Sequence, residues 1–317
     1  MADEEQTLWI SGFWRRIAAL LLDSILFVMV GLLIGTIFEA TLIKDDGWGF
    51  LIGFSICLVY FGIMNSSVCN GQTFGKQALG IRVVDENNNS ISLARSLLRS
   101  LILLIPLYID KLPLTPEFMT SYMLYPLAFF AFGGLLVITY LYIFNRKTRQ
   151  SLHDLMTGTF VVYTSTEKQP TEPVWKAHYA VALLIVLACT IYPVTVPQLA
   201  AEESELIREV KSAQSKIMQE PDVIAAGIFS GYTTTKGLNE AEKTVTHVTG
   251  TIRIDNKNVE DLHLASQIAR IIIAEHPEAL EKDVIQITLS YGYDIGIFKR
   301  ASKYTHLINP KEVQIIN

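Results

Sequence analysis

Two acids and their basic neighbours hold the chemistry of this sequence. Asp23 stands inside an apolar run that starts at Ile17 and ends near Phe38. Arg16 precedes it by seven residues. On a helix that spacing puts both side chains on one face, about 10 Å apart along the axis. A carboxyl group inside a membrane span costs about 2.5–3.5 kcal/mol on insertion scales, so it needs a partner, a wet cavity or a proton. Far along the chain, His153 and Asp154 follow another apolar run, and Arg99 opens a third. Two chemistries fit these groups. One is a cation or proton pathway centred on Asp23, with His153 as a second titrating group near neutral pH. The other is an ion-pair clasp, in which Asp154 meets Arg16 or Arg99, Asp23 is a packing contact, and His153 is an interfacial hydrogen-bonder.

The elements that must carry them are mostly membrane spans. Of 317 residues, 50% are hydrophobic and only 18% charged. Soluble domains carry about 25% charged residues, so a membrane part is expected. The net charge of −5 gives no basis for nucleic-acid binding. Cys57, Cys69 and Cys189 lack metal or redox spacing, and no catalytic constellation occurs; an enzyme, a cofactor or a metal centre is not expected. GQTFGKQ (Gly71–Gln77) lacks the full spacing and the hydroxyl residue after lysine that a phosphate loop needs. The apolar runs are Ile17–Phe38, Trp48–Met64, Leu97–Ile109, Tyr122–Phe144 and Ala177–Val196. Pro106 interrupts the third, which at thirteen residues covers only about 20 Å of a 30 Å core, so its helix must begin near Leu93, with Arg95 and Arg99 snorkelling.

Five spans with a cytoplasmic N-terminus satisfy the positive-inside rule. Arg15, Arg16, Lys76, Arg82, Arg95, Arg99, Arg146, Lys147, Arg149, Lys168 and Lys176 then lie inside, and only Lys44 and Lys111 in the outer loops. Ile81–Val84 and Thr159–Tyr163 have β character at the same face and are expected to pair.

After Leu199 the pattern changes. Leu206, Val210, Ala213 and Ile217 recur at helical spacing. Val223–Tyr232 reads as a strand. Val248, Ile252 and Ile254 alternate against His247, Thr249, Thr251 and Arg253. Asn258 is the expected cap of a helix that Pro277 ends. Val284–Tyr291 alternates again. The order α-β-β-α-β predicts a two-layer α+β domain.

The pieces in the first half resemble a known family. Arg16-x-x-Ala19-x-x-x-Asp23, then GQTFGKQALGIRVVDENN (Gly71–Asn88), Arg99, and RQSLHDLMTGTFVV (Arg149–Val162) are similar in order and type to the RDD family of small membrane proteins. Over residues 12–163 the resemblance implies that Arg16, Asp23 and Asp154 are the arginine and two aspartates for which the family is named. It also implies the role put forward for some members, transport, including sodium–proton exchange. The resemblance does not extend to the last span or the C-terminal domain.

The expectation is therefore a polytopic α-helical membrane protein of about five transmembrane helices with a C-terminal two-layer α+β soluble domain. Residues 1–165 form a four-span RDD-like domain, 166–176 a cytoplasmic linker, 177–197 a fifth span, and 198–317 an extracytoplasmic domain. A bacterial plasma membrane is the expected location. The partners expected are the bilayer, a small cation or proton, and a second copy or another protein at the C-terminal domain. The competing role is a membrane scaffold or sensor whose outer domain binds a protein or ligand.

Overall fold

A computed structural model describes residues 9–45, 47–113, 123, 126–127, 129–202, 204–235 and 243–313. The chain divides into two compact units, one of residues 1–37, 47–198 and 295–298, the other of residues 38–46, 199–294 and 299–317. Each is described separately.

The first unit is helical. Its long helix α1 (Phe13–Ile43) kinks at Phe38, where the backbone leaves helical geometry. Among the described residues α1 is the one helix long and apolar enough to cross a membrane. Leu21, Ile25, Met29, Leu33 and Ile37 on it are all exposed. Shorter helices follow: the apolar α2 (Phe50–Met64) and α5 (Gly134–Phe144), and between them α4 (Leu93–Tyr108), which carries Arg95 and Arg99. A π-turn at Phe129–Gly133 leads into α5. Of the run expected at Tyr122–Phe144, residues 122, 124, 125 and 128 lie outside the described residues. The fifth apolar run, Ala177–Val196, falls within helix α7 (Lys176–Glu202).

The expected start of α4 near Leu93 holds. The helix begins at Leu93, with the Ser92 side chain accepting from the Arg95 N–H. It does not stop at Pro106 but continues to Tyr108. Proline removes one backbone donor and crowds the preceding turn, yet this is close to the helix end, where few bonds remain to be lost.

Between α2 and α4 the chain forms the short helix α3 (Phe74–Ala78) and strand β1 (Ile81–Asp85). β1 pairs antiparallel with β2 (Thr159–Tyr163), Val83 opposite Val161. This is the pairing that the two β-like runs suggested. Ile10 adds a bridge to Val162, and Trp9 packs on Phe160 with ring centroids 5.6 Å apart. The last helix before β2 is α6 (Leu152–Thr157). The glycines of the GQTFGKQ stretch serve close packing. Gly71 has φ +74° and a Cβ there would strike the Val83 carbonyl; a Cβ on Gly75 would strike the carbonyl of Ala19 on α1. Any larger residue would push α3 off α1.

The second unit is α+β. Helix α8 (Ser204–Ile217) leads to β3 (Val223–Thr235) and β4 (Lys243–Ile254). Helix α9 (Leu262–Glu275) connects β4 to β5 (Val284–Asp294); β6 (Lys299–Ile308) and a short turn of helix, α10 (Pro310–Val313), complete it. The sheet order is β3-β4-β5-β6, with β4 parallel to β5 and the other pairs antiparallel. The alternation read from sequence holds: Val248, Ile252, Ile254, Ile285, Ile287 and Leu289 are fully buried, against Ile217 of α8 and Ile268 and Ile272 of α9.

Two corrections apply. The fourth strand, β6, was missed because Lys299, Arg300 and Lys303 mask its pattern; it is an edge strand, where charge keeps other strands from adding. The cap of α9 is Asp261 and not Asn258. The Asp261 Oδ1 accepts from the Leu264 N–H at 3.0 Å, while Asn258 lies in the preceding turn.

Candidate functional site

The site lies in the helical unit, and α6 sets its centre. Ser151 and Asp154 form a capping box at the start of that helix, which fixes the Asp154 carboxylate. Ser151 Oγ in turn donates to the Ile138 carbonyl on α5 at 2.8 Å. Arg99, from α4, donates from Nε and Nη2 to Asp154 Oδ1 at 2.9 and 2.8 Å. Thr159 Oγ1 donates to the same oxygen at 3.0 Å. Arg16 Nη1 stands 4.0 Å from Asp154 Oδ2. The rest of the Arg16 fork is spent on Ser11 Oγ at 2.8 Å, the Arg149 carbonyl at 2.5 Å and the Val161 carbonyl at 2.9 Å. Arg16 thereby ties α1 to β2, and Arg99 ties α4 to α6.

All three charged groups are buried. Arg99 was expected to snorkel toward a headgroup layer; it is instead turned inward and paired. For Asp154, burial alone would raise the pKa. The charges of Arg99, His153 and Arg16 and the hydrogen bond from Arg99 outweigh it and hold the carboxyl well below the usual carboxylate range. His153, with Nε2 3.5 Å from Asp154 Oδ2, was one candidate for titration near neutral pH. Burial, which penalises the charged ring, pushes it down to about 3, so it stays neutral. Its Nδ1 is buried with no hydrogen-bond partner among the described residues.

Asp23 has different surroundings. Its Oδ1 accepts from the Gly75 N–H at 2.8 Å and from Tyr60 Oη at 2.7 Å. Tyr60 Oη also accepts from the Phe74 N–H at 3.1 Å. Asp23 and Tyr60 together thus take up free N–H groups at the start of α3. Among the described residues Asp23 forms no ion pair.

Asp23, Arg16, Arg99, His153 and Asp154 line one cavity of about 410 Å³, so the structure brings all five sequence-derived residues to one place. It adds two that the sequence reading did not single out. Asn65, at the end of α2, and Lys76, on α3, face the same cavity, and Lys76 Nζ donates to Asn65 Oδ1. Burial, helped by the charge of Arg99, pushes the Lys76 ammonium down to about 7. The signal available in sequence was Lys76 inside GQTFGKQ, which reads as a surface loop until α3 is seen to fold back onto α1. Among the described residues no three His, Cys, Asp or Glu side chains cluster for a metal ion.

A helical domain with an apolar first helix, clasped by buried arginines on a capping-box aspartate beside a polar-floored cavity, is the class of protein these features define. Residues 10–158 match the RDD family, and the chain carries an RDD family domain over that stretch. A relative, the uncharacterized protein YckC of Bacillus subtilis (strain 168), is 28% identical over 155 residues, 49% of this chain and 85% of that protein. No solved structure matches the chain.

Proposed function

We propose that the RDD domain is a multi-pass membrane domain that passes a small cation or proton through the cavity, with Asp23 as the binding carboxylate. The observation that carries this is the contrast in pairing. Asp154 is neutralised by two arginines, whereas Asp23 is buried beside a cavity with only neutral donors on one oxygen. An unpaired intramembrane acid is a candidate functional group, and ion and proton pathways are among its common roles. The exposed apolar side chains of α1 suit lipid contact. In this reading the domain and α7 make five spans, with the N-terminus in the cytoplasm and the α+β domain outside a bacterial plasma membrane, as the inside excess of lysine and arginine favours. Lys76 faces Asp23 across the site and competes with an incoming cation when protonated.

A second reading has its own observation. Because Asp23 holds α3 in place, the domain could serve as a rigid scaffold for a partner-binding α+β domain. Cation-dependent proton flux in vesicles holding the purified protein separates the two. Asp23→Asn keeps a carbonyl oxygen for Gly75 and Tyr60 but removes the charge. Flux lost in a folded Asp23→Asn protein supports the transport reading. Wild-type flux no higher than in empty vesicles, or flux unchanged by Asp23→Asn, would sink it in favour of the scaffold.

A further inference from the structure

We infer that the cavity is a binding site for an anionic single-chain amphiphile, with its charged head at Lys76 and Arg99 and its chain between α1, α4 and α5. The inference rests on the membrane placement of the helical unit but not on ion passage.

The cavity has two unlike ends. One is walled by Leu20, Leu103, Leu107, Leu135 and Ile143. Of these, Leu20, Leu107, Leu135 and Ile143 are also exposed, so this end reaches the surface of the helical unit. From Arg99 to Leu107 is eight residues, about 12 Å along α4. The other end holds hydrogen-bond donors that the protein leaves unused. Arg99 spends Nε and Nη2 on Asp154, and its Nη1 makes no hydrogen bond among the described residues. Asn65 Nδ2 is buried and unpartnered. Lys76 Nζ has three protons and a single acceptor, Asn65 Oδ1. A buried donor without an acceptor costs about 1–3 kcal/mol, so this end favours a ligand that accepts.

Charge points the same way. Arg16, Lys76 and Arg99 face the cavity against Asp23 and Asp154, leaving one positive charge when all five are ionised. A cation on Asp23 would leave more. A carboxylate or phosphate head neutralises the surplus and fills the donors. A free small anion would leave the apolar walls empty, and a neutral hydrocarbon would leave the donors unpaired. The volume of about 410 Å³ lies within the range of ligand pockets.

The test uses the full chain in nanodiscs of zwitterionic phosphatidylcholine, with radiolabelled dodecanoate as the probe and dodecanol and inorganic phosphate as competitors. Saturable binding near one per protein is expected, displaced by unlabelled dodecanoate and by neither competitor. Lys76→Gln, which removes one charged donor, weakens it about tenfold. Leu107→Trp, which fills the apolar end, removes it. Phosphate competing as well as dodecanoate would overturn the proposal in favour of a small-anion site. Binding no greater than in empty discs, or binding indifferent to both variants, would overturn it outright. Incorporation into the discs is read separately. A protein that incorporates without binding leaves the membrane reading intact, and one that fails to incorporate overturns both.

Discussion

The two units solve the same problem, fixing one arrangement of helices and strands, by opposite means. The α+β unit packs an almost purely aliphatic interior, with Ile252, Ile268, Ile272, Ile285, Ile287 and Leu289 fully buried. Its strong ion pairs, such as Lys216 with Glu275, sit outside that interior. The helical unit instead centres on buried charge. Arg16, Arg99 and Asp154 lie where an ordinary domain would place leucines. On the proposed membrane placement of the helical unit, the difference follows from the solvent. In water, apolar burial drives packing at about 25 cal/mol per Å². Between apolar helices in lipid that force is missing, so hydrogen bonds and ion pairs must choose the neighbours.

The largest break in this comparison is expected at Asp154. Asp154→Asn leaves Arg99 and Arg16 buried without a counter-charge, and removing one partner of a buried pair costs about 3–5 kcal/mol. Both arginines also reach β2, Arg16 donating to the Val161 carbonyl and Arg99 Nε to Thr159 Oγ1 at 3.3 Å, so the β1–β2 sheet should open with them. Amide exchange on the full-length protein in detergent checks this. Protection should collapse over residues 81–85 and 159–163 while β4 and β5 keep theirs. Equal loss in both sheets would show that the clasp is not local.

That clasp also shows what was legible in sequence. Asp23 was found because a charge in an apolar run is conspicuous, and Arg16 by its spacing from it; Arg99 and Asp154 came through the resemblance to the RDD motifs, and His153 as the neighbour of Asp154. Which arginine Asp154 takes was not legible, since Arg16 and Arg99 are equally basic and only the fold puts Arg99 at 2.8 Å and Arg16 at 4.0 Å. Lys76 and Asn65 were hidden because their role depends on α3 folding onto α1 at Gly75, a contact with no periodicity to announce it. In the α+β unit the alternation of β4 and β5 was readable because one face is aliphatic. β6 was not, because an edge strand needs no such face.

A smaller effect, set by pH, sharpens the contrast. His153 is neutral in the fold, with its pKa pushed down to about 3 by burial, while in the unfolded chain it takes a proton near 6.5. Below pH 6.5 the unfolded state therefore binds more protons, and the helical unit loses stability as pH falls toward 3. Between pH 7 and pH 5 the loss is about 2 kcal/mol from this group. Asp154 adds its own loss only in stronger acid, below the carboxylate range, where its ion pairs are titrated away. Thermal unfolding of the wild type and His153→Gln at the two pH values reads the slope. Gln cannot titrate, so its slope over this window should fall by about that amount and keep only the smaller part due to Lys76. An unchanged slope would place the acid sensitivity elsewhere.

The smallest effect belongs to the α+β unit, where single polar contacts support a core that already specifies itself. Asp261 caps α9 by accepting from the Leu264 N–H at 3.0 Å. Asp261→Ala should cost about 1 kcal/mol, the usual worth of an N-cap. Ala265, Ile268, Ala269 and Ile272 hold α9 on the sheet without help from the cap, so the loss should appear as fraying of the first turn. Exchange of the amides of residues 263–265 should quicken about fivefold, with β5 unchanged. If β5 loses protection as much as that first turn does, the aliphatic interior depends on its caps as the helical unit depends on Asp154. The two units would then differ in the chemistry of their interiors and not in how far one polar contact reaches.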